Sequence, residues 1–296
     1  MRSDWVPSLR EVFETAHFVI KFSHRDPPPG ATGRGVGPRG IRRGPLLLWY
    51  VDALEAAYRQ LEVTRRGFEP EIKTEVYVYD IGGPFGRGEP FATIAKNNQP
   101  RICLSSRKPE PLLQQALHMA AVEAVHEVTH VFNWAARPPL RSLMEGKWRW
   151  FDEATAVLME TLIYPGNLDS TRFCMNWMDL PELPVDHPGM RYEAGMFARY
   201  LSRRFGPQLI SDIWTKSEPH EDPIYALHRL TSDQCPQHLR SMTPETSRCW
   251  IFGEYAHDSY FLRSAPALVR PRRGATLRLS RNCRKLLPFL RRQGYH

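Results

Sequence analysis

Residues 111–136 read PLLQQALHMAAVEAVHEVTHVFNWAA. Leu112, Leu113, Ala116, Leu117, Met119, Ala120, Val122, Val125, Val128, Val131 and Phe132 leave this stretch almost no polar face, so it is expected to be a largely buried helix. One narrow polar line crosses it. Glu123, His126, Glu127 and His130 stand at i, i+3, i+4 and i+7, which places all four on one stripe. Two imidazoles and two carboxylates buried without partners would cost several kcal/mol, and a divalent metal would compensate them directly.

The spacing of HEVTH, residues 126–130, assigns a role to each polar member. His126 and His130 leave the helix in one direction and can bind a single Zn2+ at about 2.0–2.1 Å. Glu127, next to the first of them, can hold the water at such a site and take its proton. The blander reading is a chance match whose side chains only reach solvent, and the placement on a stripe of an otherwise apolar helix tells against it.

A catalytic zinc needs a third protein ligand and an open position. A third histidine six residues beyond His130 is missing, because Ala136 stands there and the next histidine is His187. A glutamate on a following helix would serve instead. Residues 150–164, WFDEATAVLMETLIY, supply Glu153 near the start, and Glu160 falls on the same face two turns on, where it could hydrogen-bond a liganding imidazole. Asp152 and Glu145 are rivals for the third position. An acid favoured by the dipole at a helix N-terminus is the plainer account of Glu153. Glu123 shares the stripe and would either support the ligands or reach the wall of a cleft.

The rest of the composition sets bounds. At 296 residues, 42% hydrophobic with eight Trp and fourteen Phe, the chain can bury a sizeable core. Its formal charge of +8 is unevenly spread, gathering in residues 24–44 and after Arg263, which makes it a property of loops and tail rather than of a recognition face. Cys103, Cys174, Cys235, Cys249 and Cys283 are scattered and form no CxxC pair, so neither a zinc knuckle nor a dense disulfide framework is indicated. No run of 18 or more apolar residues could span a bilayer, and MRSDWVPSLREVFE lacks the apolar centre of a secretory signal.

In chain order, His17–Phe22 alternates as a strand and residues 24–44 form a Pro-, Gly- and Arg-rich loop. Residues 46–63 carry helical spacing, Thr74–Tyr79 is a second strand, and Arg101–Ser105 is a third, whose edge could receive an extended peptide. Beyond the motif helix and the helix of residues 150–164, residues 192–205 read as an amphipathic helix broken by Gly206-Pro207. Residues 209–214 continue helical, and residues 251–262 suggest one helix more. Residues 263–296 hold ten Lys and Arg and no acid, and much of this tail is expected to be mobile, with residues 286–290 as the part that could dock.

HEVTH followed by WFDEATAVLME resembles the gluzincin metallopeptidases, the clan of thermolysin and the zinc aminopeptidases, whose second motif commonly reads W-x-N-E-G/A. The resemblance implies His126, His130 and Glu153 as zinc ligands and Glu127 as general base. Residues 192–195, YEAG, are similar to the Y-E-K-G segment of the zinc aminopeptidases, which implies that Tyr192 donates its phenol to the oxyanion. A buried tyrosine anchoring its helix is the alternative. More closely, residues 15–262 resemble secreted bacterial proteins with a peptidase-MA-like domain. The G-x-M-E-N segment that captures a free N-terminus is absent, which points away from an aminopeptidase. Secretion is implied by the resemblance, whereas no signal is visible in the chain.

The expected fold is α+β and zincin-like: a small N-terminal mixed β-sheet with helices, then a mainly helical half, with the active-site cleft between them. Residues 1–110 would be the N-terminal α/β part, 111–262 the helical catalytic part and 263–296 the basic tail. The expected function is zinc-dependent cleavage of peptides or proteins. Two other classes are a basic nucleic-acid-associated protein using the arginine-rich segments, and a zinc-stabilised binding module without catalysis.

Overall fold

The computed structural model describes residues 9, 11–22, 45–65, 68–79, 81, 90–94, 99–105, 113–137, 146–165, 167, 172–173, 176, 185–218 and 220–232. The loop of 24–44, Glu145, the suggested helix of 251–262 and the tail of 263–296 lie outside these residues. The chain divides into two compact units, residues 1–141 with 162–164 and residues 142–161 with 165–296.

Among the described residues, the first unit is built on a five-stranded sheet of order β1-β2-β3-β5-β4, with β1 Glu11–Glu14, β2 Phe18–Phe22, β3 Thr74–Tyr79, β4 Phe91–Ile94 and β5 Pro100–Ser105. β2, β3 and β5 run parallel, and β1 and β4 close the two edges antiparallel. α1, Pro45–Thr64, is the crossover that parallel β2 and β3 require. Alternation explains the burial. Phe18, Ile20, Val76, Val78, Ile102 and Leu104 point to one face and are fully buried. Tyr50, Leu54, Ala57 and Leu61 of α1 are equally buried at the helical spacing. Each large side chain so removed from water contributes about 1.5–3 kcal/mol.

α2, Leu113–Ala136, packs against α1, β4 and β5. Tyr58 of α1 meets Phe132 of α2 edge to face, with centroids 5.0 Å apart. The other face of the sheet carries the half-buried group Lys21, Glu75 and Arg101 and a small cluster of Tyr77, Tyr79 and Cys103, against which Leu9 and Ile81 pack. Glu75 accepts from Arg101 at 2.9 Å and from Tyr77 at 2.7 Å.

One expectation is corrected here. Arg101–Ser105 was to offer a free edge to a peptide, but β5 lies inside the sheet, paired to β3 on one side and β4 on the other. The strand on that edge is β4. It is four residues within a Gly- and Pro-rich stretch, too short to show alternation of its own.

The described residues of the second unit are mainly helical: α3 Arg149–Ile163, α4 Ala194–Phe205, α5 Gln208–Lys216 and α6 Pro223–Thr231. The last two residues of α3 fall in the range of the first unit. Trp148, Phe151 and Trp214 form an aromatic cluster, with Trp148 to Trp214 5.0 Å and Phe151 to Trp214 5.6 Å between centroids. Its polar atoms are satisfied inside, since Trp214 donates to Thr155 Oγ1 at 3.2 Å and Trp148 to the Glu221 carbonyl at 2.9 Å. Gly206 ends α4 at φ 92°, a conformation that favours glycine, which accounts for the break expected at Gly206-Pro207. α6 begins at Asp222, whose side chain accepts from the Ile224 N–H at 2.8 Å, with Pro223 in the first turn. No helix among the described residues is long and apolar enough to cross a membrane.

Candidate metal centre

From Ala120 to Trp134, α2 is buried as its composition requires, and most of its polar stripe is buried with it. Val125, Val128, Val131 and Phe132 are at most 1% exposed, and His126, Glu127 and His130 lie between 5% and 8%. Only Glu123 is half-buried. The two imidazoles stand one helical turn apart, centroids 4.8 Å, one ring edge-on to the other at 76°. Trp134, one turn further on, stacks on His130 with centroids 5.6 Å apart and planes 19° from parallel.

Neighbours from the sheet and α1 reach the same stripe. Cys103 of β5 is 4% exposed, and its burial pushes the thiol up to about 12, with the Glu127 carboxylate acting in the same direction. Burial likewise raises the Tyr79 phenol, which shares a hydrogen bond with Cys103. Tyr50 of α1 is fully buried and donates its phenol to the Ser105 carbonyl at 3.1 Å. Burial, and then the charge of Glu123, hold the Tyr50 phenol well above its ordinary value. The charge of Glu123 therefore acts on Tyr50 of α1, which the residue pattern alone did not disclose.

On α3, Asp152 and Glu160 are buried and Glu153 is half-buried. The donor atoms of His126, His130 and Glu153 lie within 4.8 Å of one another, as a group that could hold a metal ion. Asp152 is not in the group, and the other rival, Glu145, lies outside the described residues. Two imidazole nitrogens and a carboxylate oxygen are the donor set expected of a catalytic zinc with one position open. The donor chemistry thus fits the ion that the sequence suggests.

Tyr192 stands in the turn before α4, not inside it, so the helix expected from 192 begins at Ala194. The residue is 38% exposed and its ring stacks on Phe173, with centroids 5.2 Å apart and planes at 13°. It is therefore not the buried anchor that the plainer reading required. The neighbouring Glu193 is buried and accepts from Asn176 Nδ2 at 3.0 Å. Gly195 is needed for packing: a Cβ there would lie 2.4 Å from Val157 Cγ1. His187, the next histidine in the chain after His130, accepts from the Gly189 N–H at 3.1 Å as the cap of a short 3-10 turn.

Residues 113–250 match the model of a family described as of unknown function (DUF6055). The match opens with α2 and takes in His126, Glu127, His130, Glu153, Glu160 and Tyr192, while the sheet and α1 precede it. No curated protein and no solved structure matches the chain.

Proposed function

We propose that the protein is a zinc-dependent metallopeptidase of gluzincin type with a zincin-like fold, cleaving peptide bonds within an extended chain. The observation that carries this reading is the donor group of His126, His130 and Glu153, with Glu127 buried beside the first ligand on the same helix. Zinc bound there would supply a Lewis acid and a water of lowered pKa. The residues of the chain do the remainder. Glu127 accepts the proton of the attacking water and returns it to the departing amine. The exposed phenol of Tyr192 donates to the carbonyl oxygen as that atom gains charge. Glu160, buried on the helix that bears Glu153, orients a liganding imidazole. An extended substrate would add to the sheet along β4, which among the described residues pairs on one side only and so presents an edge to a further strand.

Glu127→Gln separates binding from catalysis. The variant is expected to hold zinc as the wild type does and to lose about 10²- to 10⁴-fold in kcat on a peptide that the wild type cleaves. Undiminished hydrolysis by Glu127→Gln would overturn the mechanism. Stoichiometric zinc in a wild type that cleaves no member of a broad peptide library would favour a metal-stabilised binding module instead.

A further inference from the structure

We infer that Trp134 is a positioning residue that sets the plane of the His130 imidazole for metal binding. The inference rests on the reading of His130 as a ligand.

The geometry is specific to this helix. Trp134 is 2% exposed and lies four residues beyond His130, so the two side chains share a stripe. Their rings are 19° from parallel, whereas His126 meets His130 at 76°. A flat indole against the face blocks rotation about the Cβ–Cγ bond, which for histidine is otherwise a broad torsion.

That rotation is what a liganding histidine must give up when it takes a metal. With the plane already held by a buried neighbour, the ordering cost is met when the helix folds rather than when the ion binds. Such an arrangement raises metal affinity without a bond from Trp134 to the ion. It also gives a physical reason for a large aromatic at this position that filling space alone does not: leucine would fill apolar space there, and phenylalanine would retain a face to stack.

The test uses the full chain with Trp134→Leu and Trp134→Phe, stripped of metal and titrated with Zn2+ against a chromophoric chelator, and with Co2+ for its absorption spectrum. Trp134→Leu is expected to bind Zn2+ about 10- to 100-fold more weakly, as losses of groups behind a ligand do, with an altered Co2+ spectrum. Trp134→Phe is expected to retain most of the affinity and the wild-type spectrum. Wild-type affinity and spectrum in Trp134→Leu overturn the inference, and so does a Trp134→Phe as weak as Trp134→Leu. A wild type that takes up neither ion overturns the metal site as well, whereas wild-type uptake with an indifferent Trp134→Leu overturns the positioning role alone. Should Trp134→Leu lose its far-ultraviolet circular dichroism, the other variant decides. Co2+ must quench tryptophan emission in the wild type and quench it much less in Trp134→Phe, and equal quenching in both overturns the stack against the ligand.

Discussion

His126 and Glu153 make the sharpest pair of single-residue tests, because each removes one proposed donor and leaves the other two. Purified wild type is expected to carry one zinc per chain, and His126→Ala and Glu153→Ala are each expected to lose it, as read by elemental analysis after gel filtration. Zinc retained by Glu153→Ala would move the third ligand to Asp152 or Glu145. Cys103 offers a test of the wall behind Glu127. A thiol pushed up to about 12 and 4% exposed holds almost no thiolate at neutral pH and no path for a reagent. Cys103→Ser should therefore leave unchanged the number of thiols that react quickly with an aromatic disulfide at pH 8. One fast thiol fewer would show that β5 opens at that point.

At the scale of elements, α3 and α4 approach so closely that glycine is required between them. A Cβ on Gly195 would sit 2.4 Å from Val157 Cγ1 and 2.5 Å from Val157 Cβ, and the second of these atoms cannot swing away. Gly195→Ala gains about 1 kcal/mol of helix propensity and meets an overpacking cost of about 1–3 kcal/mol, so a net loss is expected. Gly195→Val should lose more. Urea unfolding of the three chains measures it, and a stabilised Gly195→Ala would refute the close packing. The elements also show what sequence could and could not disclose. α2 and α3 carry their apolar residues at helical spacing and end at strong breakers, so residues 111–136 and 150–164 were legible within two residues at either end. β2, β3 and β5 were legible from alternation, being buried on at least one face. β1 was not, since its EVFE has no buried residue to set a pattern. The order that puts β4 outside β5 depends on pairings distant in sequence, which local pattern cannot register. α6 is not legible although Asp222-Pro223 is a start signal, because, unlike the equally short α5, it follows no longer helix whose pattern it could continue. At the site, the stripe on α2 was legible from one helix alone, while the preference for Glu153 over its neighbour Asp152 depends on which way α3 is turned.

For the whole molecule, acid and metal act through the folded state in opposite ways. Burial pushes the Glu55 carboxyl up, but hydrogen bonds from Thr15 and His17 outweigh it and leave it below the usual range. Glu75, against Lys21 and Tyr77, is lowered in the same manner. A carboxyl lowered on folding stabilises the chain above its unfolded pKa, and this contribution is lost as pH falls through the folded value. Melting temperature should therefore decline as pH drops below about 4, and Glu55→Gln should flatten that decline. Metal works through mass action instead. Zinc that binds the folded chain and not the unfolded one stabilises it by about 2.7 kcal/mol at a free concentration a hundredfold above Kd, and the gain grows with the logarithm of concentration. The unfolded chain has no preformed site to compete, because the proposed donors come from α2 and α3, well separated in sequence. Removing metal with a chelator is expected to lower the melting temperature by several degrees, and added zinc to restore it. His126→Ala is expected to melt at one temperature with or without zinc. A wild type whose melting ignores zinc over the range that saturates a metal-binding assay would mean that these side chains do not hold the ion together.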